Sequence, residues 1–162
     1  MKNKLIWMLA ITVLLISACD SKKTESSEAD DKELATEETS TEPLGADAEV
    51  LEGMNVYFVN IEDGATVTSP LTVEMGVNGM EVEPAGELTK YKGHHHLIID
   101  GEFEPKGMVV PADTTHIHFG KGQTSTEVKL SPGAHTLTLQ FADGFHRSYG
   151  EKMSAQINIT VE

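Results

Sequence analysis

The chain has 162 residues, enough for one domain of ordinary size with additional terminal segments. Its formal net charge at pH 7 is -14, and no basic stripe interrupts the acidic character, which disfavours nucleic acid as a partner. The only cysteine is Cys19, so the sequence excludes a disulfide framework and a CxxC site.

Residues 1–18 have the pattern of an export signal. Lys2 and Lys4 form a positively charged start, and the apolar stretch over residues 5–16 is too short to span a bilayer. We therefore expect residues 1–18 to be removed on export.

The sequence ISAC at residues 16–19 resembles a bacterial lipoprotein cleavage site, in which the cysteine becomes the lipidated first residue of the mature chain. The alternative is an ordinary secretory signal followed by an unmodified cysteine. We expect Cys19 to carry acyl chains that hold the protein on a membrane of the cell envelope, on the periplasmic side. Asp20 resembles the inner-membrane retention signal of enteric-type bacteria, a rule that does not hold in all bacteria, so inner and outer membrane both remain open.

The segment after the lipidation site is acidic and poor in apolar residues. Residues 20–49 contain 11 acids and 3 lysines and almost no large apolar side chain, a composition typical of a disordered spacer. The predicted organisation is a lipoprotein signal peptide over 1–18, a lipidated cysteine with a disordered acidic linker over 19–50, and one domain over 51–162.

The domain sequence alternates apolar and polar residues with period two, as β-strands do, and no segment has a helical period. Gly, Pro and Asp separate the alternating segments. Seven strands are predicted, at residues 54–60, 71–77, 94–100, 115–119, 125–130, 134–141 and 153–161. This pattern predicts an all-β, immunoglobulin-like β-sandwich, with a small barrel as the alternative.

Two strands carry pairs of histidines. Alternation in THIHF places Ile117 and Phe119 in the core, so His116 and His118 point outward. The same rule in HHHLIID places His95 inward, in phase with Leu97 and Ile99, and leaves His94 and His96 outward. In SPGAHTLTLQF, the alternation predicts a buried face formed by Leu137, Leu139 and Phe141.

The outward histidines suggest a metal site. If their two strands are antiparallel neighbours, the pairs His94/His96 and His116/His118 converge, because directly opposed side chains lie about 5 Å apart at Cβ. Neutral imidazole is a common metal ligand. We expect copper or zinc, with His146 in the loop DGFHRSYG as a further ligand. The alternative is that these histidines are hydrogen-bonded structural residues.

Three other residues have less specific predicted roles. His95 is expected to bridge to a backbone carbonyl, and His135, in phase with Leu137, to be a satisfied histidine at the core edge. Asp100 and His96 would form an acid–base pair only if they touched, and residues four apart on one strand are usually too distant. No GxSxG elbow or HExxH helix is present, so we expect no enzymatic activity.

The segments GHHHLIIDGE, HIHFGKGQTSTEVKL and SPGAHTLTLQFADGFH, in this order, are similar to the bacterial family known as domain of unknown function 4399. VYFVNIEDGATVTSPLTVEMGVNGMEV resembles the opening of that family, so the resemblance covers about residues 54–161. It implies an exported bacterial protein with a β-rich domain and no settled activity. The family pattern usually continues after His146 with a further His and a Pro, whereas this chain reads RSYGEKM. The matching positions are His94, His95, His96, Asp100, His116, His118, Phe119, Gly120, Gln123, His135, Asp143 and His146.

Two functions follow from these patterns. The first is a membrane-anchored envelope lipoprotein whose histidine-rich domain binds a transition metal. The second is a metal-free, immunoglobulin-like module that binds an envelope protein or a glycan. The protein partner is not identified by either.

Overall fold

The computed structural model describes residues 43–162, and within this range the chain is all-β. The predicted export signal, Cys19 and most of the predicted linker lie outside these residues. The strands are β1 Asn55–Phe58, β2 Ala65–Val67, β3 Leu71–Asn78, β4 Glu81–Val82, β5 Lys92–Ile99, β6 His116–His118, β7 Ser125–Val128, β8 Gly133–Ala142 and β9 Ser154–Val161. Short 3-10 turns occupy Gly45–Asp47 and Glu151–Met153. No helix in the described range is long and apolar enough to span a bilayer.

The strands form two sheets, as the predicted β-sandwich requires. One sheet has the order β1-β3-β7 and is antiparallel. The other has the order β2-β9-β8-β5, with β4 and β6 both paired to β5. Each of the seven predicted segments contains a strand. The two strands that were not predicted, β2 and β4, have three and two residues, too few for alternation to be recognised.

The hydrophobic core lies between the inner faces of the two sheets. Leu137, Leu139 and Phe141 on β8 are fully buried, which confirms the face predicted from alternation. Val73 and Met75 on β3 belong to the same buried cluster. Burial of this apolar surface is the main stabilising contribution to the fold.

The folded part begins earlier than the predicted boundary at residue 51. Ala46 and Ala48 are each 1% exposed, and Val50 is buried in the core cluster. These three residues alternate with polar ones, and the first of them lies in the 3-10 turn over Gly45–Asp47. Part of an acidic segment whose overall composition suggested disorder therefore packs onto the domain. We call residues 44–50 the N-terminal strap.

Two connections cover the outer face of the six-stranded sheet. The β5–β6 connection and the β8–β9 connection meet at a bridge between Val109 and Arg147, and the Ser148 hydroxyl donates to the Glu104 carbonyl at 2.7 Å. The Glu104 amide in turn donates to the Gln140 side chain on β8 at 3.1 Å. Side chains that point away from the core on β5 and β8 are therefore still removed from water.

Candidate metal centre

Strand pairing brings three histidines to one place on the outer face. Strand β5 pairs with β6 in antiparallel register, with His96 opposite His118. His94 lies two residues before His96 on the same face. The ring centroids of His94, His96 and His118 are 4.9 to 5.0 Å apart. The two strands are therefore antiparallel neighbours, which was the condition for their histidines to converge.

A fourth imidazole comes from the β8–β9 connection. The ring centroid of His146 lies 4.6 Å from that of His118, 5.0 Å from that of His94 and 5.9 Å from that of His96. The Nε2 atoms of His146 and His118 are 3.1 Å apart, and so are those of His94 and His96. We call these four residues the histidine cluster.

The spacing of the ring nitrogens is suited to a metal ion. Four nitrogens bound tetrahedrally at about 2.0–2.1 Å lie about 3.3 Å from one another, close to the two Nε2 separations in the cluster. Ligand atoms of His94, His96 and His118 all lie within 4.8 Å of one another. These three residues could hold a metal ion, and His146 offers a fourth nitrogen.

Burial keeps the inner half of the cluster neutral. His94 is fully buried, and desolvation together with the neighbouring rings of His118 and His146 lowers its pKa to about 4. His96 is 1% exposed, and desolvation together with the neighbouring rings of His94, His118 and His146 lowers its pKa to about 2. The neutral ring is the form that coordinates metal.

The outer half of the cluster faces solvent. His118 is exposed and His146 is partly buried. Desolvation, followed by the neighbouring His146, lowers the pKa of His118. An ion can therefore reach the cluster from the His118 side without opening the sandwich.

The backbone around His146 is held in an unusual conformation. His146 has a φ of 65°, in the left-handed region that few residues other than glycine adopt. Its amide donates to the Asp143 carbonyl at 2.9 Å, and its carbonyl accepts from the Val110 amide at 2.9 Å. Such outliers concentrate at functional sites, where surrounding contacts maintain them.

Asp143 organises this connection with a fully buried carboxylate. Its Oδ1 accepts from the amides of Phe145 and Arg147 at 2.9 and 3.0 Å, and its Oδ2 accepts from the Arg147 Nε at 2.9 Å. The side chain thus fixes the backbone on both sides of His146. From the sequence, Asp143 was noted only as a position that matches the family. The one available signal was the Asp143-Gly144 turn, which lies close to the candidate ligand His146.

Gly120 makes room for the His118 ring. A Cβ added at Gly120 would collide with the His118 imidazole, and the φ of Gly120 is not in the left-handed region. The glycine is therefore required by close approach of a side chain rather than by backbone conformation. The sequence showed only a glycine two residues after a candidate ligand.

His116 points outward as predicted, but the structure does not bring it into the cluster. Its Nδ1 lies 2.8 Å from Asp113 Oδ1, which also accepts from the Thr115 amide at 2.8 Å. The hydrogen bond from His116 is the main cause that lowers the pKa of Asp113. In the antiparallel pairing of β5 with β6, His116 lies opposite Ile98, whereas His118 lies opposite His96.

Asp100 pairs with His135 and not with His96. His135 Nδ1 donates to Asp100 Oδ2 at 2.9 Å, and His135 Nε2 donates to the Ser131 carbonyl at 2.9 Å. Both ring nitrogens are thereby occupied, so His135 has none left for a metal. The Asp100 hydrogen bond raises the pKa of His135.

His95 points into the core, as the alternation predicted, but makes no bridge to a backbone carbonyl. Neither ring nitrogen has a hydrogen-bond partner among the described residues, and the ring packs edge-on against Phe141 with centroids 5.1 Å apart. Burial lowers its pKa to about 4. The middle histidine of the triplet therefore lies on the opposite face from the cluster.

Comparison with known proteins identified one family. The family model described as Domain of unknown function (DUF4399) matches residues 73–162, a range that contains all four residues of the histidine cluster. A search of the curated proteins and a search of the solved structures each found no match.

Proposed function

The chain belongs to the DUF4399 family, and we propose that it is a cell-envelope protein that binds one transition-metal ion in its histidine cluster. The observation that carries this proposal is the convergence of four imidazoles from three parts of the chain, with two Nε2–Nε2 separations of 3.1 Å. Two Nε2 atoms that face each other can share only one hydrogen bond. Hydrogen bonding between the rings is therefore a weak reason to place four imidazoles together. A cation bound between the rings would satisfy all four nitrogens at once.

The chemistry of the cluster favours copper or zinc. Imidazole suits these metals, whereas calcium and magnesium take oxygen ligands. Among the described residues, no carboxylate belongs to the group of ligand atoms that could hold the ion. Four neutral nitrogens accommodate tetrahedral Zn(II) and Cu(I) without the need for a charged ligand.

Metal titration of the full chain tests the proposal. We expect detergent-solubilised protein, stripped of metal and dialysed, to bind one equivalent of Zn(II) or Cu(I) and to melt at a higher temperature as a result. His118→Gln should lose this stabilisation and keep the fold, because His118 is exposed. His135→Gln is the matched control and should bind metal normally. A wild-type chain that takes up neither metal would overturn the proposal.

We also propose that the protein is anchored by lipid at Cys19, on the basis of the ISAC pattern. Globomycin, which blocks lipoprotein signal peptidase, should leave an uncleaved precursor. Cys19→Ser should release the protein from the membrane fraction. Retention of the serine variant in the membrane would count against lipid anchoring.

A metal-free interaction module is the second candidate, and it is favoured by three exposed apolar residues. Met108, Val109 and Phe145 are 57%, 59% and 53% exposed, on the two connections that cover the outer face. Under this alternative, replacing all three with Ser should abolish capture of an envelope partner, and replacing His118 and His146 should not. In both candidates the role is binding and not catalysis.

A further inference from the structure

The N-terminal strap docks against the connection that carries His146. The Ala46 amide donates to Asp143 Oδ2 at 2.9 Å, and Arg147 Nη1 lies 3.1 Å from Asp47 Oδ2. The Lys106 ammonium donates to the Ala48 carbonyl at 2.9 Å. The strap therefore contacts both connections that cover the outer face of the sheet.

Asp143 links the strap to the cluster directly. One oxygen of its buried carboxylate is shared by the strap, through the Ala46 amide, and by the Arg147 side chain. The other oxygen holds the amides that flank His146. If the strap leaves, a buried carboxylate loses one hydrogen bond and becomes exposed on that side, which favours rearrangement of the loop.

The strap fits closely because residue 45 is a glycine. A Cβ at Gly45 would lie 2.5 Å from Asp143 Oδ2 and 2.8 Å from Leu88 Cδ2, and the φ of Gly45 is +57°. Any larger residue would push the strap away from Asp143. By contrast, a Cβ at Gly53, whose φ is +85°, would meet nothing within 4 Å.

From these contacts we infer that the N-terminal strap regulates metal affinity at the histidine cluster, by holding the His146 loop in its metal-binding conformation through Asp143. This inference rests on the proposed function. Asp143 is a positioning residue, since it acts on the metal through the backbone of His146. The coupling is reciprocal, so bound metal must also hold the strap more firmly against the domain.

Undocking the strap would loosen His146, the ligand supplied by the β8–β9 connection. The three ligands on the strands would not change.

Two glycine variants of the full chain separate this coupling from general strain. Gly45→Ala and Gly53→Ala both place an alanine at a positive φ, but only the first meets Asp143. We expect Gly45→Ala to bind Zn(II) roughly tenfold more weakly than wild type, within the usual range of coupling between sites. Gly53→Ala should bind with the wild-type dissociation constant.

A third variant covers the case in which Gly45→Ala destabilises the whole domain. Asp47→Asn removes only the partly exposed ion pair with Arg147, so the fold should be kept while Zn(II) binding weakens by a smaller factor. Hydrogen exchange of the wild-type chain supplies the reciprocal measurement, since Zn(II) should slow exchange of the Ala46 amide. Equal dissociation constants in all four proteins, with exchange at Ala46 unaffected by Zn(II), would overturn the coupling and leave the proposed function standing. No Zn(II) binding by wild type would overturn both.

Discussion

The histidine cluster and the Asp100–His135 pair both involve strands of the six-stranded sheet, yet their ring nitrogens have different surroundings. His135 donates from both nitrogens, to a carboxylate and to a backbone carbonyl, and its pKa is raised by Asp100. In the cluster, nitrogens face other nitrogens, and burial lowers the pKa of His94 and His96. The first arrangement stabilises a positive charge that belongs to the protein. The second excludes protons and is suited to a positive charge supplied from outside.

The comparison also distinguishes the two ends of the cluster. His94 and His96 are fixed on a central strand, with neighbours on both edges. His146 depends on a connection held by Asp143 and by the strap. We therefore expect the strand ligands to determine whether metal binds, and the loop ligand to determine how tightly it is held.

Removing a cluster ligand should have the largest effect. His146→Gln is expected to weaken Zn(II) binding by about 100-fold. Loss of a residue that only supports a metal ligand typically costs about 10- to 100-fold in affinity, and loss of the ligand itself should reach the upper end of that range. His116→Gln is the matched control, since His116 is engaged with Asp113 and should leave the affinity unchanged. Isothermal titration of both variants provides the measurement. If both variants lost Zn(II) affinity to the same extent, the assignment of His146 and not His116 to the histidine cluster would be wrong.

Displacing a ligand without removing it should have a smaller effect. Gly120→Ala forces the exposed His118 ring away, so Zn(II) binding should weaken by about tenfold while the fold is retained. Gly76→Ala is the control, because its Cβ would likewise meet a ring, that of Tyr57, but on the other sheet. Metal-induced shifts in melting temperature compare the two. Full stabilisation of the Gly120 variant by metal would show that His118 is not needed.

The opposite pKa shifts predict opposite pH dependence in the metal-free protein. An unfolded histidine takes a proton near pH 6.5, whereas folded His94 and His95 do so only near 4, and His96 only near 2. The unfolded chain therefore binds more protons between these values, and the free energy of unfolding falls as pH falls from about 6.5 towards 4. Urea unfolding across this range should reveal the decrease. A metal-free protein that becomes more stable on acidification would contradict the lowered pKa values of the buried histidines His94, His95 and His96.

His135 should contribute with the other sign. Its raised pKa means that its contribution is fully present below about pH 6.5 and is lost as pH rises through the folded value. The stability difference between wild type and His135→Gln should thus be larger near pH 5.5 than near pH 8.5. The same urea experiments measure it, and a difference that does not vary with pH would argue against a charged His135.

The smallest expected effect concerns the middle histidine of the triplet. Within residues 43–162, the two ring nitrogens of the buried His95 have no hydrogen-bond partner. His95→Leu should therefore stabilise the metal-free protein by about 1 kcal/mol, since an unsatisfied buried polar group costs about that much or more. Metal affinity should not change, because His95 lies on the face opposite the cluster. A destabilised variant would indicate that His95 has a partner in solution.

The alternation of apolar and polar residues was sufficient to predict most of the fold and part of the candidate site. It located seven strands and the outward direction of His94, His96 and His118, because each of those segments keeps one face buried against the core. It could not distinguish His116 from His118, since the period of two gives both the same face and only the register shows that His116 lies one pair too far. It also could not show that loops cover the outer face, or that Ala46, Ala48 and Val50 pack onto the domain. Those contacts join residues far apart in the sequence, as in the hydrogen bond from the Ala46 amide to Asp143, 97 positions away, and a local pattern of alternation carries no information about them.

X-ray absorption at the metal edge tests the central claim most directly. The wild-type chain, loaded with one equivalent of Zn(II), should show a first shell of nitrogen at about 2.0 Å with outer-shell scattering from three to four imidazoles. The His118→Gln/His146→Gln protein, treated in the same way, should retain little Zn(II) after gel filtration, because two of the four ligands are missing. A wild-type spectrum dominated by oxygen ligands, with no imidazole scattering, would contradict the assignment of the histidine cluster as the metal site.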